Sequence, residues 1–245
     1  MTEEKQKIYR SLFIPSLFLA LMWLFKLAEY VFDQRLSFLG ITPLELRGLA
    51  GIILSPFLHG DWKHLMANSI PMLVLGAALY YFYKEIANKV LILIILLTGT
   101  WVWLGAREST HIGASGVIYG LNSFLLVSGM LRRESRLMAL SLIVVFLYGG
   151  MIWGVFPEFF PEKNISWESH LSGLVAGIVL AIFFKEEGIQ RKKYSWELEE
   201  SDNEYVSETE EILPEEERPY WNIPEPDKKD LTVVYHMKST NEPKV

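Results

Sequence analysis

Six long apolar segments, separated by shorter polar stretches, make up most of residues 12–184. An α-helix needs about 20 residues to cross a hydrocarbon core of ~30 Å, and each segment comes close to that length. We therefore predict an all-α membrane protein built as a bundle of six transmembrane helices. The predicted spans are roughly Leu12–Phe32, His64–Tyr83, Val90–Ala106, Gly113–Leu131, Leu137–Phe156 and Ser169–Phe184.

Positive charges are unevenly distributed over the loops that join these segments. With the N-terminus inside, the cytoplasmic flanks carry twelve lysines and arginines, and the outer flanks carry five. Lys and Arg are enriched in the short cytoplasmic loops of membrane proteins. We therefore predict a multi-pass integral membrane protein with both termini in the cytoplasm. No organelle-targeting segment is recognised, which favours the plasma (inner) membrane.

Two loops on the predicted outer side are more apolar than a loop free in water would be. Residues 33–60 include FLGITPLELRGLAGIILSPFLHG, which Gly and Pro interrupt too often for a spanning helix. Non-helical backbone at membrane depth has to be buried against protein or line a wet cavity. We expect this first outer loop to be half inserted beside a cavity. The aromatic loop at residues 157–168 is expected to act as an interfacial cap or gate.

Composition agrees with the bilayer and divides the chain. Of the 245 residues, 51% are hydrophobic and the net charge is −6. That acidity belongs to residues 185–245, which carry a net charge of −8, whereas residues 1–184 carry +2. We predict a cytoplasmic N-terminus at 1–11, a six-span core at 12–184 and a disordered acidic cytoplasmic tail at 185–245. No basic stripe is left for nucleic acid, and the absence of cysteine excludes thiolate chemistry.

Three polar residues from three predicted spans reach the same depth. Counted from the cytoplasmic edge at 1.5 Å per residue, Ser115, His170 and Asn68 lie roughly 21 to 24 Å up, and His64 lies one turn above Asn68. Ser and His supply a nucleophile and a general base. Asn68, His64 and the serine's own N–H supply donors for an oxyanion. The pattern indicates acyl transfer by a Ser–His dyad, because no Asp or Glu shares that depth.

Small and aromatic residues surround this group. Tyr119 lies one turn from Ser115 on the same helix face, where its ring could pack against the His170 imidazole. Small residues at three- and four-residue spacings let two membrane helices approach closely, and we expect them to bring Ser115 to His170. They are Gly113, Gly116, Gly120, Gly173 and Gly177.

Three motifs resemble those of the rhomboid intramembrane serine proteases: HGDWKHLMAN, GASGVIYG and SHLSGLVAG, in that order on three spans. The resemblance covers about residues 12–184 and implies a six-helix core with a half-inserted first outer loop. It also implies an intramembrane serine endopeptidase that cleaves the transmembrane or juxtamembrane segments of membrane protein substrates. Neither cofactor nor metal is implied, and nothing in the sequence indicates an oligomeric state.

The resemblance also assigns roles to individual residues. Ser115 would be the nucleophile and His170 the base, with His64 and Asn68 in the oxyanion hole. The supporting residues would be Tyr119, Gly113, Gly173 and His59, the last of which matches a family position near the outer mouth. The sequence departs from the family in one place, because Arg47 in the first outer loop has no adjacent Trp.

Other interpretations of these residues are less favoured. The soluble G-x-S-x-G signature fails because its fifth position is Val117. A metal site at His59 and His64 has poor spacing and no carboxylate. Outside the motifs, Lys26 and Glu29 read as a snorkelling ion pair, and His111 reads as loop surface. Arg107 and Glu108 read as an interfacial anchor.

Two other functions remain as alternatives. A catalytically inactive rhomboid-like protein that binds membrane helices would be expected to lack Ser115 or His170, and both are present. A transporter or channel would be expected to show inverted repeats and acidic residues at the membrane midplane, and the sequence shows neither.

Overall fold

The computed structural model describes residues 2–147 and 166–187. These residues are helical and contain no β-strand, apart from one isolated bridge between Ile41 and His111. All of them belong to one compact unit of the chain. The helices are α1 (Glu3–Phe32), α2 (Gly51–Leu54), α3 (Trp62–Phe82), α4 (Ala87–Gly105), α5 (Ser115–Leu131), α6 (Ser135–Leu147) and α7 (Trp167–Phe183).

Every predicted span overlaps one of the six longer helices. By length and composition, α1, α3 and α4 can cross a membrane, whereas α5, α6 and α7 are shorter apolar helices. The all-helical apolar architecture is therefore observed, and the count of six spans stays a prediction. Residues 148–156 of the fifth predicted span, most of the loop at 157–168 and the tail beyond residue 187 lie outside the described residues.

Helix α1 is longer than the apolar pattern predicts. It begins at Glu3 instead of Leu12, and its 30 residues correspond to about 45 Å, more than the hydrocarbon core requires. No helix-breaking residue precedes Leu12. Glu3 and Glu4 lie in the first turn, where carboxylates interact favourably with the helix dipole. Further along, Pro15 packs against Gly76 of α3, where any side chain would collide with the proline ring.

The segment between α1 and α3, here called the α1–α3 loop, consists of short helical turns. Two of the contacts that attach it to the rest of the bundle lie in its first half. Ile41 exchanges backbone hydrogen bonds with His111. Trp103 of α4 donates its indole N–H to the Glu45 carbonyl at 2.9 Å, and its own carbonyl accepts the Leu44 N–H. Insertion of this loop into the membrane remains a prediction.

Helices α5 and α7 are packed at backbone distance through glycines. A Cβ on Gly173 would overlap the carbonyl oxygen of Gly116, and a Cβ on Gly177 would overlap that of Gly120. Only glycine fits at such positions, because the space of a side chain is taken by the neighbouring backbone. The expected close approach of these two helices is therefore observed.

A buried arginine joins the C-terminal ends of the same two helices. Arg132, at the C-terminus of α5, donates to the Ser128 hydroxyl and to the Phe184 carbonyl at the end of α7. It also donates to the Glu187 carbonyl at 2.7 Å, and its guanidinium lies over the Tyr83 ring. A cation at helix C-termini satisfies carbonyls that have no partner within the helix.

Candidate active site

Ser115 is the first residue of α5. The chain reaches it through Gly113, whose φ of +114° lies in the region that side chains rarely adopt. The Gly113 N–H donates to the Ser55 carbonyl at 2.8 Å. This turn brings the chain from the α4–α5 connection into the helix and leaves the Ser115 side chain partly exposed.

His170, in the first turns of α7, faces Ser115 across the glycine-lined contact. Its Nε2 lies 2.9 Å from Ser115 Oγ, a distance typical of a hydrogen bond. His170 is itself buried. The structure thus brings together the predicted nucleophile and base, which are 55 residues apart in the sequence.

Tyr119 lies beside the same imidazole. Its ring is stacked on that of His170 with 4.3 Å between centroids and 12° between planes. The ring therefore restricts rotation of the imidazole about the bonds that would turn Nε2 away from Ser115.

His64 and Asn68, one turn apart on α3, adjoin the turn before the serine. A Cβ on Gly113 would lie 2.8 Å from His64 Nε2 and 3.8 Å from Asn68 Nδ2. Two side-chain nitrogens are thus close to the backbone two residues before Ser115. Because Gly113 has no side chain, the His64 and Asn68 nitrogens can lie in the space beside its Cα.

His59 connects the α1–α3 loop to this pair. Its Nε2 lies 3.1 Å from Asn68 Nδ2, and its ring packs edge-on against His64. An amide nitrogen can only donate, so His59 Nε2 accepts and must be unprotonated. In keeping with this, the pKa of His59 is lowered to about 3, mainly by burial of the ring and secondly by the nearby His64.

His111, expected at the loop surface, is in fact buried, with 3% of its surface exposed. Its Nε2 faces the Arg107 carbonyl at 3.1 Å and therefore carries the proton. Nδ1 then accepts from the Ser166 hydroxyl at 2.6 Å. Ser166 caps α7 by accepting from the Ser169 N–H. The backbone bridge joins His111 to Ile41 in the α1–α3 loop, and the contact with Ser166 ties the serine-bearing connection to the start of α7.

An ion pair lies beside that tie. Arg107 Nε is 3.4 Å from Glu168 Oε1. The Glu168 side chain is only 8% exposed, and among the described residues neither of its carboxylate oxygens accepts a hydrogen bond. Arg107, interpreted from sequence as an interfacial anchor, is therefore also the cation that faces a buried carboxylate. Nothing in the apolar pattern distinguished Glu168 from an exposed helix-start residue.

Apolar helices around a Ser–His pair define an all-helical integral membrane protein with a polar site within its bundle. Within residues 2–147 and 166–187, no group of three His, Asp or Glu side chains could hold a metal ion. Residues 47–187 match the Rhomboid domain. The chain belongs to the rhomboid family, and the family predicted from the three motifs is confirmed.

Relatives with the same core are found in bacteria and in a virus. An uncharacterised protein of Mycobacterium bovis is 41% identical over 170 residues, which are 67% of this chain and 71% of the relative. One from Mycobacterium leprae is 37% identical over 171 residues, 67% of each chain. A protein of Acanthamoeba polyphaga mimivirus that is named as a rhomboid protein is 27% identical over 142 residues, 54% of this chain and 73% of its own.

Proposed function

We propose that this protein is an intramembrane serine endopeptidase that cleaves membrane protein substrates in or beside their transmembrane segments. The rhomboid family generally comprises serine proteases. The observation that carries the proposal is the 2.9 Å separation of Ser115 Oγ and His170 Nε2 between two helices whose glycines allow their backbones to lie in direct contact.

The proposed reaction follows from the chemistry of a serine and a histidine. Ser115 Oγ attacks the scissile carbonyl carbon while its proton passes to His170 Nε2. The C–N bond then breaks, and the same proton goes to the leaving amine. Water attacks the acyl carbon and gives one proton to His170 Nε2. The ester bond to Ser115 Oγ then breaks and that proton returns to Oγ, while the product leaves as a carboxylic acid and loses its remaining proton to solvent.

The developing oxyanion would be held by donors on the α3 side. We assign this role to the Ser115 backbone N–H, the Asn68 amide and the His64 ring. Their support is the proximity of His64 Nε2 and Asn68 Nδ2 to Gly113. Removing one such donor lowers kcat by about 10²–10³ in a serine protease. Tyr119 would keep the base in orientation.

The setting proposed for this activity is the lipid bilayer. We propose a multi-pass protein of the plasma (inner) membrane with both termini in the cytoplasm. The α1–α3 loop would be half inserted, and residues 185–245 would form a disordered tail. Support comes from the Lys/Arg distribution and from the apolar helices.

A fluorescent fluorophosphonate, which labels activated serines, tests the proposal with the purified protein in liposomes. Wild type and Ser109→Ala are expected to label, whereas Ser115→Ala and His170→Ala are not. Ser109 is a suitable control because it is an exposed serine in the same connection. A folded wild type that resists this probe and a second class of serine reagent would favour the inactive, helix-binding alternative.

A further inference from the structure

Lys26 lies on α1, outside residues 47–187 that match the Rhomboid domain, yet it contacts the site end of the bundle. The snorkelling expected from the sequence is not observed, because the Lys26 side chain is only 11% exposed. Its Nζ donates to Glu29 Oε2 at 2.8 Å, to the His59 carbonyl at 2.9 Å and to the Gly60 carbonyl at 3.1 Å.

These three acceptors match the three N–H donors of a lysine ammonium. Glu29, which is 12% exposed, is held in turn, because its other oxygen accepts the Leu36 N–H at 2.8 Å. An ammonium and a carboxylate at this level of burial are stable only when they are paired and hydrogen-bonded. The backbone at His59 and Gly60 is therefore fixed by a charge-assisted contact from another helix.

The contact continues through the His59 ring to Asn68. Asn68 Nδ2 donates one N–H to His59 Nε2. The Asn68 amide nitrogen carries two N–H donors. The hydrogen bond that one of them makes to His59 fixes the direction in which the other one points. Without the His59 acceptor, the amide could rotate and present its oxygen in place of its nitrogen. The oxygen would repel a developing negative charge.

We propose that Lys26 is a positioning residue that holds His59, and through it the Asn68 amide, in the orientation required to stabilise the oxyanion. The role rests on the function proposed above, in which Asn68 is an oxyanion donor. It gives α1 a part in the proposed reaction although this helix supplies neither the dyad nor the oxyanion donors assigned above.

The test is the rate at which Ser115 is phosphonylated by a fluorophosphonate, since that reaction also develops charge on an oxygen beside the serine. Lys26→Met keeps the length of the side chain and removes its donors, whereas Lys26→Arg keeps donors. Lys63→Met is the control, because Lys63 is an exposed lysine in the first turn of α3. We expect Lys26→Met to lower the limiting rate about tenfold with an unchanged half-saturating probe concentration, Lys26→Arg to restore part of it, and Lys63→Met to match wild type.

A double-mutant cycle separates positioning from general destabilisation. If Lys26 acts through Asn68, Lys26→Met causes no further loss in an Asn68→Ala background. Equal rates for wild type and Lys26→Met, or losses that multiply in the double variant, would overturn the positioning role. Lys26→Gln, which keeps two N–H donors on a shorter, uncharged side chain, replaces Lys26→Met if the latter does not fold. A wild type without labelling at Ser115 would overturn the proposed function itself, so the two failures are distinguishable.

Discussion

The Tyr119 ring lies parallel to the His170 imidazole, with the two rings in contact over their faces. Stacked aromatic pairs contribute about 0.5–1.5 kcal/mol beyond their buried area, which corresponds to roughly a 2- to 10-fold effect on a rate. We expect Tyr119→Leu to lower kcat by that factor in a peptide hydrolysis assay, because the imidazole loses its orienting surface. Tyr119→Phe keeps the ring, so a loss as large as that of Tyr119→Leu would show that stacking is not what matters.

The glycine contact between α5 and α7 gives a stability prediction. In Gly173→Ala, the new methyl group overlaps the Gly116 carbonyl, and the helices have to separate. Overpacking typically costs about 1–3 kcal/mol, so the melting temperature in detergent should fall and labelling of Ser115 with it. Gly105→Ala is the control, since no neighbouring atom lies within 4 Å of a Cβ at that position. Equal melting temperatures for the two variants would mean that α5 and α7 can accommodate the methyl group.

Asp61 caps α3 just before His64. Its carboxylate accepts the His64 N–H at 2.8 Å, and this hydrogen bond holds the pKa of Asp61 below its ordinary value. Replacing an N-cap by Ala costs about 0.5–2 kcal/mol. We expect Asp61→Ala to lower the melting temperature and to reduce activity, because the first turn of α3 carries His64.

The lowered pKa of Asp61 also sets the direction of a pH dependence. Its contribution to stability is present above the unfolded-state pKa of about 3.9 and is lost as the pH falls through the lower folded-state value. The melting temperatures of wild type and Asp61→Ala should therefore differ at neutral pH and converge in acid. A difference that stays constant down to the acid end of the titration would exclude the ionised cap as its source.

The buried carboxylate of Glu168 predicts a non-additive pair of substitutions. Arg107→Gln removes the cation that faces Glu168 and leaves a buried carboxylate whose oxygens accept no hydrogen bond from the described part of the chain. Because Arg107 is half exposed, we expect a loss of about 1–3 kcal/mol, below that of a fully buried pair. Adding Glu168→Gln should recover most of it in chemical denaturation, since the unpaired charge is then gone. A double variant as unstable as the sum of the two single ones would contradict this account.

The absence of cysteine from the whole chain allows a direct test of orientation. Single cysteines can be placed at Glu3 and at Glu45, which are both exposed, without a background signal. In intact cells, a membrane-impermeant maleimide should label Glu45→Cys and should label Glu3→Cys only after permeabilisation. The reverse pattern would place the N-terminus outside.

The apolar pattern predicted the helices of the core well. The ends of α3 and α4 and the C-terminal ends of α5 and α7 fall within three residues of the predicted spans, because long apolar runs and their polar flanks determine where such helices begin and end. Depth counting predicted Ser115, His170 and Asn68 at one level, because a helix rises by a constant 1.5 Å per residue, and the observed contact of Ser115 with His170 agrees with that prediction. The start of α1 was missed because a helix can continue into a polar sequence.

The polar contacts around the site could not be predicted in the same way. Lys26 meets His59, and His111 meets Ser166, only because the α1–α3 loop and the α4–α5 connection fold back over the helix ends. Such paths depend on turns whose geometry is set by tertiary contacts, and neither spacing nor hydropathy encodes them. In the sequence, Lys26 and Glu29 form the same i, i+3 pattern whether the lysine ammonium reaches water or a backbone carbonyl.

The contacts of Arg132 help to fix the position of α5 relative to α7. Helices α5 and α7 are joined by this guanidinium at one end, by Ser115 and His170 at the other, and by glycine contacts in between. Two helices that are joined at both ends and in between are expected to move as one rigid unit. Under the proposed function, the Ser115–His170 pair would therefore be assembled before a substrate arrives, and a substrate would be admitted by movement of the other helices of the bundle.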